Sequence, residues 1–267
     1  MHIDEFLEFD GKPENHSELP FTIPKDWTQG RTAFGGLSAG ILYSRLKREI
    51  CDDRPLRSIT FNFVGPLNAG EAFTFDYSIL REGKNATKIT GNLRQNGNVA
   101  LTAIACFSQN RTSKVEVEPN FTNTLEFPKK PNFIPQIPKI TPNFLRHVEL
   151  AVQDGKLPFT GSKNSSMAGW MRFKEKPCRF GDDHIITLID AWPPTVLQMI
   201  RGPAPASTMS WNVEFIHPVS DISPGEWLAY EAKTVRAHGG YANTEAKIWS
   251  ESGELVALSR QLVAVFD

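Results

Sequence analysis

The sequence predicts an α+β protein made of two fused units, each a single helix wrapped by an antiparallel sheet. Three observations lead there. A helical stretch followed by four alternating segments occurs twice, with the strands over 55–107 and again over 206–266. Gly70-Glu71 recurs as Gly225-Glu226 and Arg81 recurs as Arg236, both 155 residues later (225 − 70 and 236 − 81). Asn96-Gly97 joins two of the alternating segments, and Asn-Gly suits the left-handed turn of a tight hairpin.

The first helix is predicted over 36–50. Leu37, Ile41, Leu42, Leu46 and Ile50 fall on one side, while Arg45, Lys47, Arg48 and Glu49 fall mostly on the other. The small residues Gly35, Gly36, Ser38, Ala39 and Gly40 at its start admit a second backbone at close range. Ile59, Phe61 and Phe63 then alternate with Ser58, Thr60 and Asn62, the period of a half-buried strand. Further strands are predicted over 73–80, 86–93 and 99–107, with turns at Pro66–Gly70, Arg81–Lys84 and Asn96–Asn98.

Residues 112–165 read as a connection over the surface. They hold Pro119, Pro128, Pro131, Pro135, Pro138, Pro142 and Pro158 with little periodicity, and a short helix is expected only near Phe144–Val152. The second unit opens with a strand over 167–173 and a helix from about Asp182, whose acidic start suits the positive end of the helix dipole. Pro193-Pro194 ends that helix. Met209, Trp211, Val213 and Phe215 alternate with Thr208, Ser210, Asn212 and Glu214, and strands over 227–235, 241–249 and 255–266 follow. Three residues separate Pro66 from Gly70 and six separate Pro218 from Gly225, an insertion that a turn absorbs at little entropic cost. The expected units are 1–111, a connection over 112–165, and 166–267.

Bulk composition narrows the function. A formal net charge of −1 without basic blocks argues against nucleic acid or an anionic membrane surface as partner. No apolar run reaches the roughly 18 residues of a membrane span, and the acidic start Met1–Phe6 lacks the apolar core of a secretory signal. Cys51, Cys106 and Cys178 are too far apart for a zinc set or a disulfide framework; they read as small buried hydrophobes in a reducing compartment. No metal or cofactor site is expected, and the cytoplasm is the expected location.

Particular residues carry a family resemblance. They are Phe34-Gly35-Gly36, Arg57-Ser58, Pro66, Leu80–Lys84 and Gln95–Gly97 in the first half. In the second they are Asp190-Ala191-Trp192-Pro193-Pro194, Ala206-Ser207-Thr208, Phe215 with Pro218, and Ser259-Arg260-Gln261. In this order and spacing the chain resembles the double hotdog acyl-CoA thioesterases of the thioesterase II type, over most of both repeats but not the proline-rich middle. The resemblance implies hydrolysis of an acyl-CoA to free acid and coenzyme A by an activated water. It also implies catalytic roles for Asp190, Thr208 and Gln261 and a place in lipid metabolism. Ser207, next to Thr208, is the competing hydroxyl.

The chemistry of these residues agrees with that implication. Asp190 lies among Ile186, Leu188, Ile189 and Trp192, where burial raises a carboxyl pKa toward the range of a general base. Alternatively it ends the helix as a cap. Gln261 lies among apolar neighbours and needs partners for its amide, or else pairs with an edge backbone. Thr208 falls on the polar side of its alternation, where an ordinary strand threonine also sits. Gly35 and Gly36 offer backbone N–H groups at a helix start to an oxyanion, or simply permit close packing. Arg57, Arg81, Lys84 and Arg236 are candidates for the phosphates of coenzyme A, with solvated charges as the plain reading.

Three rival readings stand beside this one. Gly36-Leu37-Ser38-Ala39-Gly40 matches the G-x-S-x-G elbow of serine hydrolases, with His217 or His238 as base, but no buried strand precedes it. A hotdog hydratase would pair an acid with a histidine, and the nearest to Asp190 is His184. A non-catalytic acyl-CoA binder on the same fold is the alternative from another class. Assembly into a homo-oligomer beyond the fused pair is left open, as is acyl-chain preference.

Overall fold

The structure is a computed structural model that describes residues 1–8, 19, 21–51, 53–133, 137, 141–218 and 220–266. Pro135, Pro138 and Asp267 lie outside the described residues. Among these, α1 (Ile3–Leu7) is followed by the short pair β1 (Thr28–Gln29) and β2 (Thr32–Ala33), then α2 (Gly35–Lys47). The first four long strands are β3 (Leu56–Phe63), β4 (Thr74–Glu82), β5 (Ala86–Gln95) and β6 (Asn98–Ser108). Next come β7 (Val148–Asp154), β8 (Ser166–Phe173) and α3 (Asp182–Ile189). The chain closes with β9 (Ala206–Phe215), β10 (Leu228–His238), β11 (Tyr241–Trp249) and β12 (Leu255–Val265).

Ten of these strands form one antiparallel sheet in the order β4-β5-β6-β3-β9-β12-β11-β10-β8-β7. The two halves meet where β3 pairs with β9, Phe61 opposite Trp211. Their rings stack at 5.2 Å, so one apolar core runs through both halves on the face that holds the helices. The helices α2 and α3 lie against each other on that face. Glycine makes their closeness feasible. A Cβ on Gly36 would stand 2.6 Å from the Thr187 carbonyl oxygen, and one on Gly40 would overlap Thr187 Oγ1 and stand 3.0 Å from the Asp183 carbonyl oxygen. The second backbone that the small residues admit is therefore α3.

The stretch 112–165 does more than span. Instead of a helix near Phe144–Val152, a 3₁₀ turn (Asn143–Arg146) leads into β7, which pairs with β8 and extends the sheet edge. Val148 and Leu150 are buried on the helix side and Ala151 on the other, so strand pairing with two covered faces decides the outcome over local helix propensity. Upstream, residues 121–127 cross the opposite face of the second half. Trp170 Nε1 donates to the Glu126 carbonyl and Trp249 Nε1 to the Phe121 carbonyl, over a small apolar cluster. Helix α1 was not foreseen. Its Ile3, Phe6 and Leu7 are buried, and Arg45, itself buried, donates to the Phe6 carbonyl.

The cysteines depart from expectation. Cys51 and Cys178 are exposed and Cys106 is half-buried on the outer side of β6; all three are free. They do not fill the core, which is built instead from aromatic and branched residues.

The helix contact predicts that Gly40→Val lowers stability by about 1–3 kcal/mol through overpacking against α3, while Gly83→Ala, whose Cβ would stand 3.6 Å from its nearest neighbour, changes it little. Thermal melts of the two variants check this.

Candidate active site

Asp190 is the residue just past α3. Its backbone N–H reaches back to the Leu188 carbonyl, and the prolines three and four positions on cannot continue a helix. The cap reading of Asp190 thus describes its place in the chain. Its side chain, however, turns into the protein. Oδ2 lies over Gly35, 2.9 Å from where a Cβ would be, and the carboxylate accepts a hydrogen bond from the Gly36 backbone N–H. The start of α2, in the first half, therefore holds a carboxylate of the second, and close packing and an N–H donor coexist there.

Gln261 on β12 supplies the next link. Its Nε2 donates to Asp190 Oδ1 at 3.1 Å, and its Oε1 accepts from Thr208 Oγ1 at 3.3 Å. Thr208 reaches it through an irregularity in β9. Trp211 opposes Gln261 and Ser210 opposes Leu262, but Val263 opposes Thr208, so Met209 is an unpaired bulge residue. Strict alternation would point Thr208 outward with Ser210 and Asn212. The extra residue resets the alternation and puts Thr208 on the face of Trp211 and Gln261. Ser207 is exposed, opposite Ala264 on the other face, with only a long contact to the Thr208 carbonyl.

The electrostatics follow from this enclosure. Asp190 keeps a partial opening to solvent. Even so, burial among apolar neighbours pushes its carboxyl up from 3.8 to about 7, against the opposing pull of Gln261 and the Gly36 N–H. Both of these partners are neutral. Aromatic rings wall the site: Trp192 stacks on Tyr230 at 5.0 Å and donates through Nε1 to Met171 Sδ. The proline-rich stretch contributes Phe133, 6.5 Å from Trp192, and Phe144, stacked at 3.8 Å on Phe34 just before Gly35. Phe63 approaches Gly35 from β3. The arrangement couples a carboxylate titrating near neutrality to an amide and a hydroxyl, the equipment for accepting a proton from a bound water.

The basic candidates lie elsewhere. Arg57 is the bulge residue of β3, and its guanidinium donates to the Ser108 carbonyl and to Asn110 Oδ1. Arg81 and Lys84 are exposed at the far end of β4 and in the turn after it, on the sheet edge four strands from β9. Arg236 is exposed on β10. None of them is drawn into the Asp190 cluster. The serine-hydrolase reading also dissolves: Ser38 Oγ is buried and donates to the Phe34 carbonyl, and His217 Nε2 contacts the Leu56 carbonyl. His184, the hydratase candidate, is fully buried with Asp183 and Asp4 at the opposite end of α3 from Asp190. No group of His, Cys, Asp and Glu among the described residues could hold a metal ion.

Comparison with known proteins agrees with the fold. The family description "Acyl-CoA thioesterase C-terminal domain" matches residues 122–265, and "Acyl-CoA thioesterase N-terminal domain" matches residues 23–108. The chain belongs to the acyl-CoA thioesterase family. No curated protein sequence matches it. Among solved structures, a conserved hot dog protein of unknown function from Alicyclobacillus acidocaldarius is 22% identical, covering 99% of this chain and 98% of that one with a TM-score of 0.80. The acyl-CoA thioesterase II TesB2 of Mycobacterium marinum is 17% identical over 99% and 98%, with a TM-score of 0.73. The tesB protein of Mycobacterium avium subsp. paratuberculosis is 16% identical over 99% and 98%, with a TM-score of 0.74. At these identities the structures establish a shared hotdog architecture, here doubled within one chain. The matched C-terminal domain begins at residue 122 and so takes in most of the proline-rich stretch.

The raised carboxyl has a consequence for stability. Asp190 titrates at 3.8 when unfolded and near 7 when folded, so the folded state holds the extra proton between these values. Wild type is therefore expected to lose stability, relative to Asp190→Asn, as pH rises from about 4 to about 7, with no further divergence above that. Paired melts across this range check the sign.

Proposed function

We propose that this family member hydrolyses the thioester of an acyl-CoA, with Asp190 as the general base. The observation that carries the reading is the hydrogen-bonded run Thr208–Gln261–Asp190, closed at its far end by the Gly36 N–H, with Asp190 held near a neutral pKa. Asp190 takes a proton from water as the water oxygen bonds to the thioester carbonyl carbon. The tetrahedral intermediate then collapses, the carbon–sulfur bond breaks, and the coenzyme A sulfur leaves with the proton returned by Asp190. Gln261 fixes the carboxylate, and Thr208 fixes the orientation of the Gln261 amide. The apolar walls limit the contact of Asp190 with bulk water, which leaves the base weakly solvated and its pKa high.

The same arrangement disfavours dehydration, since among the described residues no histidine is shown beside Asp190, and the nearest one in sequence is engaged with Asp183 and Asp4. No helix among the described residues is long and apolar enough to cross a membrane. With its three unpaired cysteines, the chain fits a reducing compartment, and we place it in the cytoplasm.

An acyl-CoA panel of short, medium, long and aromatic chains, followed by thiol release, tests the activity. Wild type is expected to hydrolyse at least one class, with kcat/KM rising through a midpoint of about 7 as Asp190 ionises. Asp190→Asn is expected to lose about 10²–10⁴-fold in kcat. It should keep affinity for acyl-CoA, measured by calorimetry. Binding without hydrolysis by wild type would point to the non-catalytic reading instead.

A further inference from the structure

Donor accounting around Asp190 leaves a gap. Gln261 Nε2 donates to Asp190 Oδ1, the Gly36 N–H donates to the same carboxylate, and Thr208 Oγ1 gives its proton to Gln261 Oε1. Only the second Gln261 amide hydrogen of this group is uncommitted, yet a tetrahedral oxyanion in a dry site needs a donor aimed at it. Tyr230 offers one. It stands on β10 between Gly169 of β8 and Ile248 of β11, and its ring lies flat on Trp192, two residues beyond Asp190. Gly169 is what lets Trp192 settle there, since a Cβ would come within 2.9 Å of the indole. Tyr230 is only 8% exposed as a residue, yet its hydroxyl is not among the sealed polar atoms that lack a partner. The O–H therefore keeps an opening from which to donate to a bound molecule. Burial, and then the nearby charge of Asp190, raises its pKa and keeps the proton on the oxygen.

We propose that Tyr230 is a further catalytic residue whose hydroxyl donates a hydrogen bond to the thioester carbonyl oxygen as it becomes an oxyanion. This rests on the thioesterase reading of the Asp190 site. The water oxygen bonds to the carbonyl carbon, its proton goes to Asp190, and the carbonyl π pair moves onto oxygen, where the Tyr230 O–H meets it. When the pair returns, the carbon–sulfur bond breaks and the Asp190 proton leaves with the sulfur. Tyr230 keeps its own proton throughout.

Tyr230→Phe retains the ring that stacks on Trp192 and removes the donor. The expected result is a fall of about 100-fold in kcat, with KM little changed and the acid limb of the pH profile in place. As a binding measurement independent of turnover, affinity for a trifluoromethyl ketone analogue of the acyl-CoA, which adds water to mimic the intermediate, should fall with kcat. Affinity for the thioether analogue, which lacks the carbonyl, should hold. The proposal is overturned if active wild type and Tyr230→Phe turn over at the same rate. It is equally overturned if the variant keeps its kcat and only its acid limb shifts, since Tyr230 would then serve the Asp190 carboxylate. A wild type that hydrolyses no acyl-CoA removes the thioesterase reading and this inference together, an outcome distinct from either.

Discussion

The contact between α2 and α3 is what the rest of the molecule depends on. Gly36 and Gly40 bring one helix backbone onto the other at a distance no side chain would allow, with Thr187 between them. That closeness sets where α3 ends relative to where α2 begins, and so places Asp190 over Gly35 and against the Gly36 N–H. The sheet then wraps both helices and brings β9 and β12 to the same spot. The site draws on α2 of the first half and on α3, β9 and β12 of the second, and it exists because the halves are locked both at this helical interface and at the β3–β9 pairing.

The two halves share a device and use it differently. In β3, Leu56 opposes Phe107 and Ser58 opposes Cys106, which leaves Arg57 as a bulge residue. In β9 the same irregularity leaves Met209 over. The residue before the bulge faces the core in both: Leu56 in the first half, Thr208 in the second. Three positions on, Ile59 opposes Ala105 where Trp211 opposes Gln261. At the matching helix junction Tyr43 stacks near Phe107 and its hydroxyl donates to Asp182 Oδ2 at the start of α3. Apolar and aromatic groups thus occupy, in the first half, the positions that hold the hydroxyl and the amide in the second. The two halves share this backbone geometry, and in the first half apolar side chains fill the matching place.

The elements with long uninterrupted alternation were legible in the sequence. β11 runs over the residues its pattern predicts, and β5, β6 and β12 differ only at their ends. Side chains alternating across a sheet with one buried face leave little freedom of register. β7 was hidden because it is an edge strand in a proline-rich stretch, where pairing with β8 outweighs local preference. α1 was hidden because five residues are too few for periodicity, although Ile3, Phe6 and Leu7 behind Asp4-Glu5 carried the signal of a short amphipathic turn. In the site, Asp190 and Gln261 stood out as polar residues among apolar ones. Thr208 did not, because a one-residue bulge inverts the face that alternation assigns, and no local property of Met209 announces it. Tyr230 carries no sequence signal beyond that of a strand aromatic; its stacking on Trp192 sets it apart.

The choice of partners around Asp190 explains why the carboxylate is both buried and useful. A guanidinium in place of the Gln261 amide would repay the desolvation of Asp190 more fully, but it would also hold the carboxyl well below its ordinary range and leave a weak base. Two neutral donors stabilise the anion only in part, so the pKa settles near 7 instead of climbing without limit or collapsing. The basic candidates lie away from this corner: Arg57 is engaged at the Ser108 carbonyl and Arg81 is left on the outer surface. Keeping cations out of this corner costs folding stability once Asp190 ionises, and the close glycine packing of the two helices, which needs no charge, supplies the rigidity that a salt bridge would otherwise provide.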